Sequence, residues 1–107
     1  MNVGDVWEVI FPFEDDSTQS KPRPCVVMDV ETLEVLSIKV TTHDARDEYD
    51  IPIFKWQEAG LIEPSFARVS KFTYINKQDF IRQYGKLHLK DFKNISNAFK
   101  EYIKSKS

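Results

Sequence analysis

The sequence predicts a mainly β fold, either α+β or a small β-barrel, that ends in an amphipathic helix. In the first two thirds of the chain, apolar and polar residues alternate with the period of two that is typical of strands. In the last third, apolar residues recur at helical spacing. Strands that precede helices, without an internal repeat, fit both architectures, and we favour the barrel. With 107 residues, 41% of them hydrophobic, the chain is expected to form one domain over 1–107.

Five segments carry the strand pattern. They cover 6–13, 25–29, 36–41, 49–53 and 65–75. The segment 14–24 is expected to be a loop, because its acids, serines and prolines show no periodicity. Pro52 marks its strand as a sheet edge, since proline cannot donate to a neighbouring strand. In the strand over 36–41, Lys39 and Thr41 should lie together on the face away from the core, and Arg68 and Ser70 should likewise share a face.

Helical structure is expected in three places. A short helical turn over 54–59 should end at Gly60, and a longer helix should begin after Asn76, which is a suitable N-cap. That helix would end at Gly85 and contain Phe80, Ile81 and Tyr84. The apolar stripe of the last helix should pack on the barrel. It consists of Phe92, Ile95, Phe99, Tyr102 and Ile103.

Charge is distributed unevenly, although the net charge is only −2. Residues 1–67 carry 5 basic and 14 acidic side chains, whereas residues 68–107 carry 10 basic and 3 acidic ones. The second part can therefore provide the local basic surface that a nucleic acid needs, even though the whole chain is acidic.

The residue inventory argues against several classes of function. Charged residues interrupt every apolar stretch, so no membrane span is expected. The single cysteine, Cys25, and two separated histidines give no metal-binding spacing, and the three glycines form no phosphate loop, so neither a metal nor a cofactor is expected. One unpaired cysteine and the lack of an apolar leader predict a cytoplasmic location.

Seven short segments stand out along the chain. They are Gly4-Asp5-Val6-Trp7, Lys21-Pro22-Arg23-Pro24-Cys25-Val26-Val27, Val40-Thr41-Thr42, Gly60-Leu61, Ser65-Phe66-Ala67-Arg68-Val69-Ser70-Lys71, Ile75-Asn76-Lys77 and Tyr84-Gly85-Lys86-Leu87. Together, and in this order, they resemble the MazF/PemK family of type II toxin-antitoxin endoribonuclease toxins. The resemblance covers nearly the whole chain, and the joint order of the segments makes it specific.

The resemblance implies an SH3-like barrel of the CcdB/MazF type that forms a homodimer. It also implies a metal-independent, sequence-specific endoribonuclease that cleaves single-stranded RNA and is neutralised by a cognate antitoxin. Carried over residue by residue, the family's catalytic groups correspond to Arg23 and Thr41. The corresponding RNA contacts are Lys21, Thr42, His43, Arg68, Ser70 and Lys71. Ser70 stands where some relatives carry an acidic residue, and His43 stands where several carry glutamine.

These residue types suit the reaction. In metal-independent cleavage the 2′-OH of RNA is the nucleophile, so the protein positions the chain, moves protons and stabilises the phosphorane. The planar fork of Arg23 can hold two phosphoryl oxygens, and Thr41 can donate a hydrogen bond. Two alternatives remain: a non-catalytic SH3-like module that binds a protein target, as the related CcdB-type toxins do, and a family member that binds RNA without cleaving it.

Overall fold

A computed structural model describes residues 1–11 and 21–106. In these residues the fold is mainly β, with six strands and one long helix. The strands are β1 (Asp5–Val9), β2 (Arg23–Val30), β3 (Glu34–Thr41), β4 (Asp50–Ile53), β5 (Ser65–Asn76) and β6 (Phe80–Lys86). A 3-10 turn, Lys77–Asp79, joins the last two strands, and helix α1 (Leu89–Lys106) follows. The predicted fold class is confirmed. In the described part of the chain, no helix is long and apolar enough to cross a membrane.

The strands form one antiparallel sheet in the order β4-β5-β3-β2-β1-β6. The position of β4 at an edge confirms the prediction from Pro52, whose missing N–H would break a central ladder. Neither end strand pairs with the other, so the sheet is an open barrel.

A single helical turn over 54–60 lies against both ends of this sheet. It follows β4 directly and ends, as predicted, at Gly60, which has a φ of 84°. The Leu61 N–H donates to the Trp56 carbonyl at 3.0 Å and the Gly60 N–H to the Gln57 carbonyl at 3.1 Å, the paired bonds of a helix that stops at a left-handed glycine. A Cβ on Gly60 would lie 2.1 Å from the carbonyl oxygen of Tyr84, so the backbones of the turn and β6 touch.

The core lies between the sheet and α1. Val6, Val26, Ile38 and Val69 on four strands are fully buried together with Ile95 from the helix. Most of the helical stripe packs as predicted: the rings of Phe72 and Phe99 are 5.0 Å apart, and those of Tyr49 and Tyr102 are 4.9 Å apart, both edge to face. The prediction is wrong for Ile103, which is 41% exposed.

The predicted helix after Asn76 is wrong. Asn76 makes no side-chain cap, and the chain passes through one 3-10 turn into β6, which pairs with β1 from Val9↔Phe80 to Asp5↔Lys86. Phe80, Ile81 and Tyr84 favour strands and Gly85 disfavours a helix interior, and pairing with the edge of β1 satisfies the backbone groups of the segment. Phe80 and Tyr84 are therefore strand residues.

Two predicted strand boundaries also change. The predicted loop over 14–24 is too long at its end, because Arg23 and Pro24 already belong to β2 and pair with Val9 and Glu8. At the other end, β1 stops at Val9, and the predicted strand residues 12 and 13, like the loop residues 14–20, lie outside the described residues.

The alternation predicted along β5 is interrupted. Lys39 pairs with Arg68, but the preceding residue Ile38 pairs with Phe72, so 69–71 form an irregularity in the ladder. Such a bulge bends the strand and changes the direction of its side chains. Arg68 and Ser70 therefore do not follow one regular face.

Asp91, in the first turn of α1, is the contact that holds the 54–60 turn. Its carboxylate accepts the N–H groups of Phe54 at 3.1 Å and Lys55 at 2.8 Å, and the residue is 1% exposed. These are the two donors that begin a helical turn and lack an internal partner.

Replacing Asp91 should therefore destabilise the fold. We expect Asp91→Ala to lower the free energy of unfolding by about 3 kcal/mol, because two backbone donors lose their charged and buried acceptor. Asp91→Asn, which keeps one acceptor, should lose about half of that. Urea unfolding followed by circular dichroism measures both, with the exposed Glu101→Ala on the same helix as a control. Equal midpoints for Asp91→Ala and the control would contradict this role.

Candidate active site

One cleft of about 530 Å³ lies where the start of β2, the end of β3 and β6 meet the 60–65 segment. Its lining residues are Arg23, Pro24, Lys39, Val40, Thr41, Thr42, His43, Gly60, Leu61, Ile62, Glu63, Ser65, Arg68, Arg82 and Tyr84. Four cationic side chains and one carboxylate therefore face this space, so the cleft is basic although the whole chain is acidic.

The cleft brings together five of the eight residues predicted for the site. These are Arg23, Thr41, Thr42, His43 and Arg68. They come from β2, from the end of β3 and from β5, and the pairing of Lys39 with both Cys25 and Arg68 places those three strands side by side. The other three predicted residues, Lys21, Ser70 and Lys71, do not belong to the lining. Ser70 and Lys71 lie in the irregular part of β5.

A hydrogen bond from the backbone fixes the orientation of the Thr41 hydroxyl group. Thr41 is buried at the end of β3, and its Oγ1 accepts the N–H of His43 at 3.2 Å. A hydroxyl that accepts from the backbone keeps its own proton free to donate elsewhere. Thr41 is therefore arranged as a donor in the cleft, while the same bond fixes the turn that carries His43. Thr41 shares the cleft with Lys39, as predicted, but it is buried and not on an exposed face.

Arg68 forms a buried ion pair. Its Nε lies 3.1 Å from Asp50 Oδ1, and the side chains of Arg68 and Asp50 are 8% and 1% exposed. The other oxygen of Asp50 accepts the Arg46 N–H at 2.8 Å. The Nη2 of Arg68 is buried and has no hydrogen-bond partner among the described residues. A buried donor of this kind calls for an acceptor, and Arg68 lines a cleft that can receive one.

A cluster of side chains that the sequence did not predict lies on the β6 side of the cleft. Glu8 Oε2 accepts the Tyr84 hydroxyl at 2.5 Å and the Arg82 Nε at 3.1 Å. The hydrogen bond from Tyr84, and after it Arg82, lowers the pKa of Glu8, whereas burial and then Glu8 raise the pKa of Tyr84. Glu8 therefore stays a carboxylate and Tyr84 stays a phenol. A strand over 80–86 would have placed Arg82 and Tyr84 two residues apart, but only the pairing with β1 brings Glu8 to them.

The cluster of Glu8, Arg82 and Tyr84 lies at a bulge in the pairing of β1 with β6. Val6 pairs with Gly85 and Trp7 with Gln83, so Tyr84 is an extra residue on β6 with no partner on β1. Such bulges commonly redirect a side chain beside a functional site. The Gly60 contact then fixes the Tyr84 backbone from the other side.

The other groups relevant to catalysis are the thiol of Cys25 and side chains able to bind a metal. Burial raises the pKa of the Cys25 thiol to about 12, so this thiol is not a nucleophile near neutral pH. Among residues 1–11 and 21–106, no three histidine, cysteine, aspartate or glutamate side chains are grouped as metal ligands.

Residues 2–103 match the family model described as PemK-like, MazF-like toxin of type II toxin-antitoxin system. The chain belongs to this toxin family. A solved structure, Mycobacterium tuberculosis toxin MazF-mt6, superimposes with a TM-score of 0.75 and covers 94% of this chain and 96% of its own, at 18% identity. At that identity the likeness shows a shared fold. No curated protein matches this MazF-like toxin significantly by sequence.

The Glu8–Tyr84 contact should be visible in a titration. The pKa of Tyr84 lies above the ordinary 10.0, so the stabilisation from its neutral form is complete below that pH and is lost as pH rises through the raised pKa. The pKa of Glu8 lies below 4.5, so its contribution is complete above that value and is lost as pH falls through the lowered pKa. The contact should therefore persist across the whole neutral range.

Glu8→Gln should lower the pKa of Tyr84, although part of the rise should remain because burial, its larger cause, is unchanged. Ultraviolet difference titration against Tyr84→Phe isolates this phenol from the other tyrosines. An identical Tyr84 titration in the parent and in Glu8→Gln would show that the contact is not formed.

Proposed function

We propose that this MazF-like toxin is a metal-independent, sequence-specific endoribonuclease that cleaves single-stranded RNA in the cytoplasm and is held inactive by a cognate antitoxin. The observation that carries the proposal is the convergence of Arg23 and Thr41, the positions matched to the family's catalytic groups, in one basic cleft. The charge on its walls suits a polyanion, because phosphate contacts supply most of the affinity for nucleic acids.

In the proposed reaction the 2′ oxygen attacks the adjacent phosphorus. The bond from the 2′ oxygen to phosphorus forms and the bond from phosphorus to the 5′ oxygen breaks, which leaves a 2′,3′-cyclic phosphate and a 5′-hydroxyl end. One proton leaves the 2′-OH and one reaches the departing 5′ oxygen. No group of the protein becomes covalently attached.

Arg23 and Thr41 stabilise the phosphorane in this scheme. The guanidinium of Arg23 neutralises the charge that develops on the equatorial oxygens, and the Thr41 hydroxyl, whose lone pair is occupied by the His43 N–H, donates to one of them. Arg68 offers Nη2, a buried donor that needs an acceptor, to a neighbouring phosphate. Among the described lining residues, His43 and Glu63 carry the side chains able to accept a proton, and we propose His43 for this task because it follows Thr41 by two residues.

The remaining proposals concern assembly. A homodimer suits the exposed edge of β6, where Ile81 is 49% exposed, because a second copy would pair that edge. Lys21, Ser70 and Lys71, which lie outside the cleft lining, stay predicted RNA contacts along the approach to it.

The cleavage prediction is tested with purified protein and a long single-stranded RNA in excess EDTA. We expect discrete cuts with 5′-hydroxyl ends, and a loss of about a hundredfold or more in rate for Arg23→Ala, the usual cost of removing one charge-stabilising donor. Arg23→Lys should rescue little, because an ammonium lacks the planar fork.

The hydroxyl of Thr41 is tested with a matched pair. Thr41→Ser keeps the donor and should retain most activity, whereas Thr41→Val keeps the shape and should lose it. Lys93→Ala, on the exposed face of α1, is the control. Intact RNA with the parent protein would overturn the nuclease proposal and favour a module that binds RNA or a protein without cutting.

Lysines inside and outside the cleft should differ in their effect on RNA affinity. Lys39 lines the cleft, so Lys39→Ala should weaken binding of an uncleavable RNA and reduce the slope of log affinity against log salt by about 0.7, the value for one phosphate contact on a single strand. Lys93→Ala, on the exposed face of α1, makes the matched comparison and should leave the slope unchanged. Equal slopes for both variants would contradict a phosphate contact by Lys39.

A further inference from the structure

We propose that Tyr84 and Arg82 form a stacking platform for one nucleobase of the RNA, with Glu8 as the positioning residue. This inference rests on the proposed function and adds a base-binding subsite to it. Tyr84 is the one aromatic side chain among the described residues of the cleft lining. Single-stranded RNA is commonly held by aromatic rings and arginine planes on which unstacked bases lie.

The platform already exists without RNA. The Arg82 guanidinium lies over the Tyr84 ring, 5.2 Å from its centroid, so the two planar groups contact each other. Glu8 Oε2 holds both, the Tyr84 hydroxyl at 2.5 Å and the Arg82 Nε at 3.1 Å. Side chains that are immobilised in advance lose little entropy when a ligand stacks on them.

The backbone beneath the ring is fixed as well. Tyr84 is the bulged residue of β6, and its carbonyl lies against Gly60, where a Cβ would be 2.1 Å away. The same close approach places Gly60, which is also a lining residue, beside the backbone and Cβ of Tyr84. The platform is therefore part of the rigid joint between the turn and β6.

Charge distinguishes the part of the cleft formed by Tyr84 and Arg82 from the part that contains Arg23 and Lys39. Glu8 neutralises Arg82, so this pair presents flat surface with little net charge. Ile62, which is 91% exposed, adds apolar surface to the same cleft. Arg23 and Lys39, which also line the cleft, are cationic. A nucleotide contains both a planar base, which suits the surface of Tyr84 and Arg82, and a phosphate, which suits these cations.

The test measures binding and does not depend on cleavage. A short single-stranded RNA with 2′-O-methyl groups at each position prevents cutting, and replacing one nucleotide at a time by an abasic residue removes each base in turn. For the parent protein, we expect one position at which loss of the base weakens binding by roughly tenfold, the usual effect of one base stacked on an aromatic ring.

Variants then assign that position to the platform. In Tyr84→Leu, replacing the same nucleotide by an abasic residue should not weaken binding further, because its base already has no aromatic ring to stack on. Tyr84→Phe keeps the ring and should keep most of the abasic effect. Glu8→Gln should keep part of the abasic effect, because the Tyr84 ring remains but the hydrogen bonds that hold Tyr84 and Arg82 lose their charged acceptor. Arg82→Ala is a second variant that removes part of the platform, for use if Tyr84→Leu does not fold. A thermal melt reports whether each variant is folded.

The outcomes separate this inference from the nuclease proposal. An abasic effect of equal size in the parent, Tyr84→Leu and Arg82→Ala, or no sensitive position at all, would overturn the platform even if the parent cuts RNA. A Tyr84-dependent abasic effect in a parent that leaves unmodified RNA intact would support the platform and overturn only the nuclease.

Discussion

The contact between the 54–60 turn and the backbone of β6 is the constraint on which the rest of the structure depends. β4 and β6 are at opposite edges of the sheet, and only a curled sheet brings the turn after β4 onto β6. Gly60 permits this approach because it has no Cβ, and Asp91 holds the start of the turn from α1. One turn thus joins both edges and the helix, and the cleft lies beside this joint.

Carboxylates near the site serve cations or backbone donors. Asp50 pairs with Arg68, Glu8 binds both Arg82 and Tyr84, and Asp91 binds backbone N–H groups. An acidic chain can in this way present a cleft in which cationic side chains outnumber carboxylates: of the described acids, Glu63 lines it, while Asp50 and Glu8 beside it are bound to neighbours. Net charge alone would have argued against a polyanionic ligand, but the local arrangement decides the question.

The sequence could predict the strands, the edge position of Pro52, the end of a turn at Gly60 and the final helix, because each has a local pattern. It could not predict β6, since Asn76 and Gly85 are local helix signals and the competing pairing with β1 is between residues about 75 positions apart in the chain. The same long-range pairing creates the cluster of Glu8 and Tyr84, which local patterns therefore could not reveal. Arg23, Thr41 and Arg68 were found through the resemblance, whereas the burial of Arg68 against Asp50 depends on the pairing of β4 with β5, next to the bulge at 69–71.

The bulge also bears on Ser70, where some relatives carry an acid. Ser70 is outside the cleft lining, so a serine there removes no group from the walls described. Next to the cleft, the hydrogen bond from Tyr84, and after it Arg82, lowers the pKa of Glu8 and so makes this carboxylate a weak proton acceptor, while both oxygens of Asp50 accept hydrogen bonds from Arg68 and from the Arg46 backbone. On the proposed mechanism, the proton acceptor must then come from the segments that follow β3 and the 54–60 turn, where His43 and Glu63 lie. Both segments begin at fixed points, Thr41 and Gly60, so the same contacts that shape the cleft also position the group that would move the proton.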